Sequence, residues 1–321
     1  MRCVVFKGVG GPEVVAVEDR PDPSPGKFEV VIAPAFAGIN PADVLQREGR
    51  HPVPPGWPAD IPGMEVAGTV VEVGDAVTAF KTGDRAFGLV GGGGLATRVV
   101  AAERELARVP DSLDDAHAAA VPEVFLTAFD ALVLQAGLVA GDTVLVNGAS
   151  GGVGTAAVQI ARVLGARVVA SVRSEQHRPA VSALGAEAMG ADDAFARVKE
   201  LGGADVILEL VGGPHMAGNI DALARSGRLV LVAAKPGEEA TIVLRDLMTK
   251  RAHLIGTTLR TRPPEQKAQL TQAFAARIVP YLAAGTIRPV VDRTFPLEQI
   301  GEALDAVRAP GKLGKLLLEL P

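Results

Sequence analysis

The sequence predicts an α/β chain of two domains, one a doubly wound parallel sheet and the other rich in β-strands. Three observations carry this. A glycine-rich turn, Asp142 to Gly154 (DTVLVNGASGGVG), joins an apolar run to a helical pattern. After it, β-branched runs alternate with helical stretches to about residue 262, the order of a parallel sheet covered on both faces. Before it, residues 1 to about 122 hold short strand-like runs separated by Gly, Pro and Asp, which suits a twisted sheet or partial barrel.

From the N-terminus, CVVF, VVAVE, EVVIAPAFAGI, GTVVEVG and ATRVVAA read as strands. Cys3, the single cysteine, reads as a small buried hydrophobe in the first of them. The prolines of PDPSPG and HPVPPGWP mark extended surface loops. Gly91 to Gly94 make a flexible or sharply turned loop, either a plain strand connection or the border of a cleft. Helical signal begins near Ser112, a candidate N-cap with Asp115 three residues on; Pro122 interrupts it and a second helix runs to Gly137. The domain border falls near Pro122, and a helix joining two domains is a route for positioning Thr127.

The glycine turn is the centre of the second domain. Gly148, Gly151 and Gly154 give a GxxGxxG spacing, a departure from GxGxxG, between a clean strand and the helical run TAAVQIARVLG. Gly151 and Gly154 allow backbone to approach a diphosphate and the helix to lie close on its strand. The first amides of that helix are free donors at the positive end of its dipole. Strands follow at ARVVASV, AEAMG, ADVILELV, GRLVLVA and AHLIGTT, six with the first, and helices at EQHRPAVSALG, DDAFARVKELG, PHMAGNIDALA and IVLRDLMTKR. The rest, a helix over PEQKAQLTQAFAARIVPYLAAG, then IRPVVDRTFP, EQIGEALDAVRA and KLLLEL, breaks the alternation and is assigned to the first domain. The domains are therefore 1–122 with 263–321, and 123–262.

An NAD-selective turn of this kind is followed, about 20 residues on, by an acid that binds the ribose 2′-hydroxyl. That place reads Ser171, Val172, Arg173, Ser174, with Glu175 one residue further. Arg173 and Ser174, with His177 or Arg178, suit a 2′-phosphate, so NADPH is the expected cofactor; the competing reading makes them solvated residues opening a surface helix.

Net charge is −5 with no basic block, which gives a nucleic acid or an anionic membrane no electrostatic support. Apolar content of 48% with 21% charged residues describes an ordinary globular protein. No apolar stretch reaches about 18 residues and the N-terminus lacks a signal-like segment, so a cytoplasmic protein is expected.

GINPADVLQREGR, PGMEVAGTVVEVG, GDRAFGL, AAAVPEVFLTAF, NGASGGVGTAAVQIAR and the terminal GKLGKLLLEL together resemble the zinc-independent quinone oxidoreductases of the medium-chain dehydrogenase/reductase superfamily. Within them the chain is most similar to the tumour-suppressor-inducible NADPH quinone reductase branch. The resemblance implies a GroES-like catalytic domain, a Rossmann cofactor domain, and reduction of a quinone in the cleft between them by hydride from nicotinamide C4. It implies a homodimer; AHLIGTTL, an edge strand, is either the pairing edge or covered by a loop. Zinc-dependent relatives carry a cysteine where this chain has Asn40 and a histidine where it has Met64; Glu65 alone cannot supply the three or so ligands a catalytic zinc needs.

The resemblance also implies site residues. Asn40 and Asp43 would lie at the nicotinamide, or cap the helix through ADVLQREG; Asn40 is the candidate donor to the developing oxyanion. Thr127 would touch the cofactor, Gly148 and Ser150, Gly151, Gly152 and Val153 the pyrophosphate, Arg173, Ser174 and His177 the 2′-phosphate, and Gly314 and Lys315 the phosphates. Close relatives often have tyrosine near His51, so this position substitutes a titratable group for a stacking ring; His51 or water would deliver the proton. Trp57 either packs its loop or lines the cleft. Two rivals share the fold: an NADPH-dependent reductase of α,β-unsaturated ketones or enoyl thioesters, and a non-catalytic NADPH-binding protein.

Overall fold

A computed structural model describes residues 1–233 and 239–321. The chain forms two units, Met1–Leu126 with Leu259–Pro321, and Thr127–Thr258.

In the first unit, β1 (Arg2–Phe6) and β2 (Val15–Asp19) pair antiparallel. The run EVVIAPAFAGI splits into β3 (Glu29–Ala33) and β4 (Phe36–Ile39), because Pro34 has no N–H to continue a ladder. After α1 (Pro41–Arg47) come β5 (Glu65–Val73), β6 (Arg85–Leu89), β7 (Val99–Ala102) and β8 (Leu106–Arg108), which join β3 in an antiparallel sheet of order β7-β3-β5-β6-β8. Val30, Ile32, Val66, Val70 and Ala86 turn inward from it, with Cys3 buried in the same core.

α2 (Asp115–Ala119) differs from expectation at its start. Its N-cap is Asp114, whose extended backbone directly precedes the helix and whose carboxylate accepts from the His117 N–H at 2.8 Å. Ser112 lies too far upstream to cap, and its hydroxyl donates to the Leu282 carbonyl at 3.1 Å. α3 (Pro122–Phe129) starts at the proline that was expected to interrupt the pattern, a position where a missing N–H is harmless. The continuation Asp130–Gln135 widens into a π-helix.

The second unit holds β9 (Thr143–Asn147), α4 (Gly152–Val163), β10 (Arg167–Ser171), α5 (Arg178–Ala183), β11 (Glu187–Met189), α6 (Ala191–Glu200), β12 (Ala204–Glu209), α7 (Met216–Ala222), β13 (Leu223–Leu231), α8 (Leu244–Lys250) and β14 (His253–Gly256). All six expected strands form one parallel sheet, order β11-β10-β9-β12-β13-β14. Leu145, Val169, Ile207 and Leu229 are fully buried, the apolar filling of a sheet covered on both faces. The order reverses between β9 and β12, which places a topological switch point beside the end of β9. β14 is an edge strand, exposed at His253, Leu254 and Gly256.

The chain then completes the first unit with α9 (Pro264–Arg277), α10 (Val279–Ala283), β15 (Val291–Pro296), α11 (Ile300–Arg308) and β16 (Lys315–Glu319). β16 pairs parallel with β15 and antiparallel with β4, and this sheet buries Ile39, Leu304, Leu316 and Leu318 in a second core of the unit. Phe274 of α9 meets Phe87 of β6 edge to face, centroids 6.2 Å apart.

Candidate functional site

In the second unit the site begins where β9 ends. Gly148 takes φ +77, a left-handed conformation costly for other residues, and the turn is closed by the Gly151 N–H on the Gly148 carbonyl at 3.2 Å. The Ala149 N–H pins it to the Ser171 carbonyl of β10 at 3.1 Å. At Gly154 a side chain would stand 2.6 Å from Ala149 Cα and from the Gly148 carbonyl oxygen, so α4 crosses the turn at backbone distance. At Gly151 an added Cβ would meet only the Gly148 oxygen, at 3.7 Å, so the space in front of the turn is open. No side chain caps α4, whose N-cap is Gly151. Its first amides and Ser150 therefore form a cradle that fits a diphosphate.

Beyond β10, Arg173 is exposed and makes no hydrogen bond or ion pair with the described residues; Ser174 and His177 are partly buried beside it. The Glu175 carboxylate is engaged by the Arg178 guanidinium at 3.2 Å, and Arg178 also donates to the Val172 carbonyl at 3.4 Å.

One network at the switch point was not foreseen. Glu209, fully buried at the end of β12, accepts from the Val211 and Gly212 amides at 2.5 and 2.8 Å and from the Asn147 and Asn219 side chains at 2.9 and 2.6 Å. Against its burial, the His215 and Asn219 side chains and the Gly212 and Val211 amides hold the carboxyl below its ordinary range. The carboxylate fixes the turn after β12 against the end of β9, and its one sequence signal was a charge closing an apolar run.

In the first unit Asn40 stands at the N-terminus of α1, with Asp43 one turn in; both are buried. Asp43 accepts from the Asn40 backbone N–H at 2.8 Å and from the Gly63 N–H at 3.2 Å. The Asn40 side chain faces the Asp43 backbone in a capping box, and its Nδ2 donates to Glu65 Oε1 at 2.8 Å. Lys315 at the start of β16 is 3% exposed; its ammonium donates to Asn40 Oδ1 and pairs with Glu65 Oε1 at 2.6 Å. Gly314 just ahead has φ +89. Thr127 is buried in α3.

Burial pushes the Asp43 carboxyl up to about 6, against the lowering pull of the Asn40 N–H and Lys315. Folded protein therefore holds a proton that the unfolded chain releases between 3.8 and about 6, and stability is lost as pH rises through that window. Asp43→Asn has no such titration. Its stability relative to the parent should shift in its favour by about 2 kcal/mol between about pH 4 and pH 7, measured by urea unfolding at both; an unchanged gap would show that Asp43 titrates normally.

His51 is partly buried, and burial, aided by the Arg260 charge, holds its pKa below the ordinary value. Arg260, which the sequence reading missed, is 7% exposed. It donates to the His51 carbonyl at 3.2 Å, the Gly91 carbonyl at 3.1 Å and Gln46 Oε1 at 2.6 Å. One guanidinium thus ties α1, the proline-rich loop and the glycine loop together. Gly91 to Gly94 are buried, with Gly93 and Gly94 donating to Ile61 and Gly63. Trp57 packs against the core of the antiparallel sheet, with the Lys267 ammonium 5.4 Å from its ring centre.

Among the described residues no three His, Cys, Asp or Glu gather as a metal site, and no helix is long and apolar enough to cross a membrane.

Residues 26–111 match the alcohol dehydrogenase GroES-like domain, and residues 152–276 the zinc-binding dehydrogenase family. The chain is 35% identical over 330 residues to the quinone oxidoreductase of Lama guanicoe, covering 100% of this chain and 98% of that protein. Among solved structures, the Pseudomonas syringae pv. Tomato DC3000 quinone oxidoreductase is 29% identical with a TM-score of 0.87 over 99% of each chain. A mycobacterial protein complexed with NADPH is 28% identical with a TM-score of 0.85 over 100% of each. A parallel nucleotide-type sheet, a GroES-like β-rich unit and full-length identity to quinone oxidoreductases converge: this chain is an oxidoreductase and belongs to the quinone oxidoreductase family of the medium-chain dehydrogenase/reductase superfamily.

Proposed function

We propose that the chain is a zinc-independent, NADPH-dependent reductase of quinones. The observation that carries the cofactor half is the open glycine cradle at the switch point, followed at the end of β10 by an exposed Arg173 and by Ser174, with Glu175 already engaged by Arg178. The amides of Gly152 and Val153 with Ser150 would bind the diphosphate, Gly148 and Gly151 leaving room for it, and Arg173, Ser174 and His177 the 2′-phosphate. When bound, NADPH supplies a hydride to a conjugated carbonyl compound.

The substrate half rests on the family and on the first-unit cluster. Asn40 presents an amide donor suited to the oxygen that gains negative charge. Asp43 orients the backbone on which Asn40 sits. A catalytic zinc does not fit here: Asn40 and Met64 are poor ligands for it, and the Lys315 ammonium already neutralises Glu65 at 2.6 Å. A quinone needs little further assistance, because its reduced product is aromatic, so positioning carries much of the rate. Burial and the Arg260 charge lower the His51 pKa, which eases release of a proton from that ring; the proton comes from His51 or from water.

The test is consumption of NADPH, and of NADH in parallel, with 1,2- and 1,4-quinones and simple enones under nitrogen. Fast turnover with quinones and NADPH is the expected result. Preference for enones would overturn the substrate assignment, preference for NADH the 2′-phosphate assignment, and binding of NADPH with no turnover would make the chain a binding protein.

A further inference from the structure

We propose that the buried Lys315–Glu65 ion pair is the positioning element of the acceptor site, locking the Asn40 amide with its oxygen on the ammonium and its nitrogen on the carboxylate, one N–H being left to donate. This rests on the reading of Asn40 as the donor to the acceptor oxygen. The three polar groups form a closed triangle: Lys315 Nζ on Asn40 Oδ1, Lys315 Nζ on Glu65 Oε1 at 2.6 Å, and Asn40 Nδ2 on the same Glu65 oxygen at 2.8 Å. Turning the amide over would set its NH2 against an ammonium and its carbonyl against a carboxylate, so only one orientation is allowed. The other Glu65 oxygen accepts from the Glu123 N–H in the first turn of α3 at 2.8 Å, which anchors the carboxylate at the positive end of that helix.

The triangle is closely built. A side chain at Gly38 would stand 2.2 Å from Glu65 Oε1 and 2.7 Å from Lys315 Cε, so glycine there makes room for the pair. Glu65, Asn40 and Lys315 are 2, 2 and 3% exposed, where charged groups persist only when paired. Asn40 Nδ2 has a second N–H, and no described residue accepts it. A buried donor left open calls for an acceptor, which a carbonyl oxygen of the substrate supplies. The ammonium on Oδ1 also polarises the amide and strengthens that donor. Lys315 therefore acts through Asn40 and not through a cofactor phosphate.

The experiment compares the charge-balanced double variant Glu65→Gln/Lys315→Met, Asn40→Ala, and the triple combination, with kcat for a quinone, the dissociation constant for NADPH and the thermal midpoint read for each. With its amide free to turn, the double variant is expected to lose about tenfold or more in kcat while NADPH affinity stays near the parent value. In the Asn40→Ala background the same pair of changes is expected to cost almost nothing further, the non-additivity of residues acting as one unit. Weakened NADPH binding would return Lys315 to the phosphates and overturn the proposal, as would additive losses in kcat. If Asn40→Ala leaves kcat unchanged, the donor reading itself fails; if it lowers kcat and the double variant does not, only the positioning role fails. Should the double variant unfold, Glu65→Gln alone supplies the same cycle.

Discussion

Asn40→Ala is expected to lower kcat for quinone reduction about 10²–10³-fold, the range seen when a donor to a developing oxyanion is removed, with NADPH affinity close to unchanged. The separation follows from where the residue sits. Asn40 belongs to the first unit, on a cluster with Glu65 and Lys315, whereas the glycine cradle belongs to the second. The substitution leaves the Lys315–Glu65 pair at 2.6 Å to neutralise itself, so no buried charge is stranded. The structural cost is then the lost side-chain hydrogen bonds, about 1–3 kcal/mol, visible as a modest fall in thermal midpoint. Steady-state kinetics and direct NADPH titration check the split. Equal losses in turnover and in NADPH affinity would mean that Asn40 holds the fold and not the reaction.

Arg173→Ala combined with Ser174→Ala should raise KM for NADPH about tenfold to a hundredfold while leaving KM for NADH in place. Arg173 is exposed and unpaired among the described residues, so its guanidinium is available to a phosphate without first breaking an internal bond. Since the contact is solvent-facing, its effect should shrink as ionic strength rises. Glu175 is the residue that would otherwise bind a ribose 2′-hydroxyl, and its carboxylate is held by Arg178 at 3.2 Å. Measuring both constants at low and high salt decides the matter; an unchanged NADPH to NADH ratio would remove Arg173 and Ser174 from the cofactor site.

The proposed cofactor half of the site is legible in the sequence because its chemistry is local. Gly148, Ser150 to Gly154 and Arg173 to His177 lie within one strand-turn-helix-strand stretch, and local spacing is what a sequence displays directly. The acceptor half was legible only in part. Asn40 and Asp43 stood out as a helix start, and the residues of that capping box are the ones proposed for the site, Asp43 taking the Asn40 backbone N–H while the Asn40 amide also reaches Glu65. The helix start at Ser112 was misplaced by two residues since Asp114, equally able to cap, sits closer to the first turn.

By itself, the sequence determined the alternation that yields six parallel strands, the glycine turn at their switch point, and the β-rich first third, since each is written in the period of apolar residues and the placing of Gly and Pro. What only the tertiary structure decided is which partner each buried charge meets. Lys315 finds Asn40 across 275 positions, Asn40 finds Glu65 across 25, and Arg260 finds Gln46 across 214. Buried charge is tolerable only with a partner, and the partner is chosen by how β16 lies on β4 and how the segment before α9 returns to α1. No local pattern encodes that, because the pairing energy depends on distance in space and the sequence records only distance along the chain.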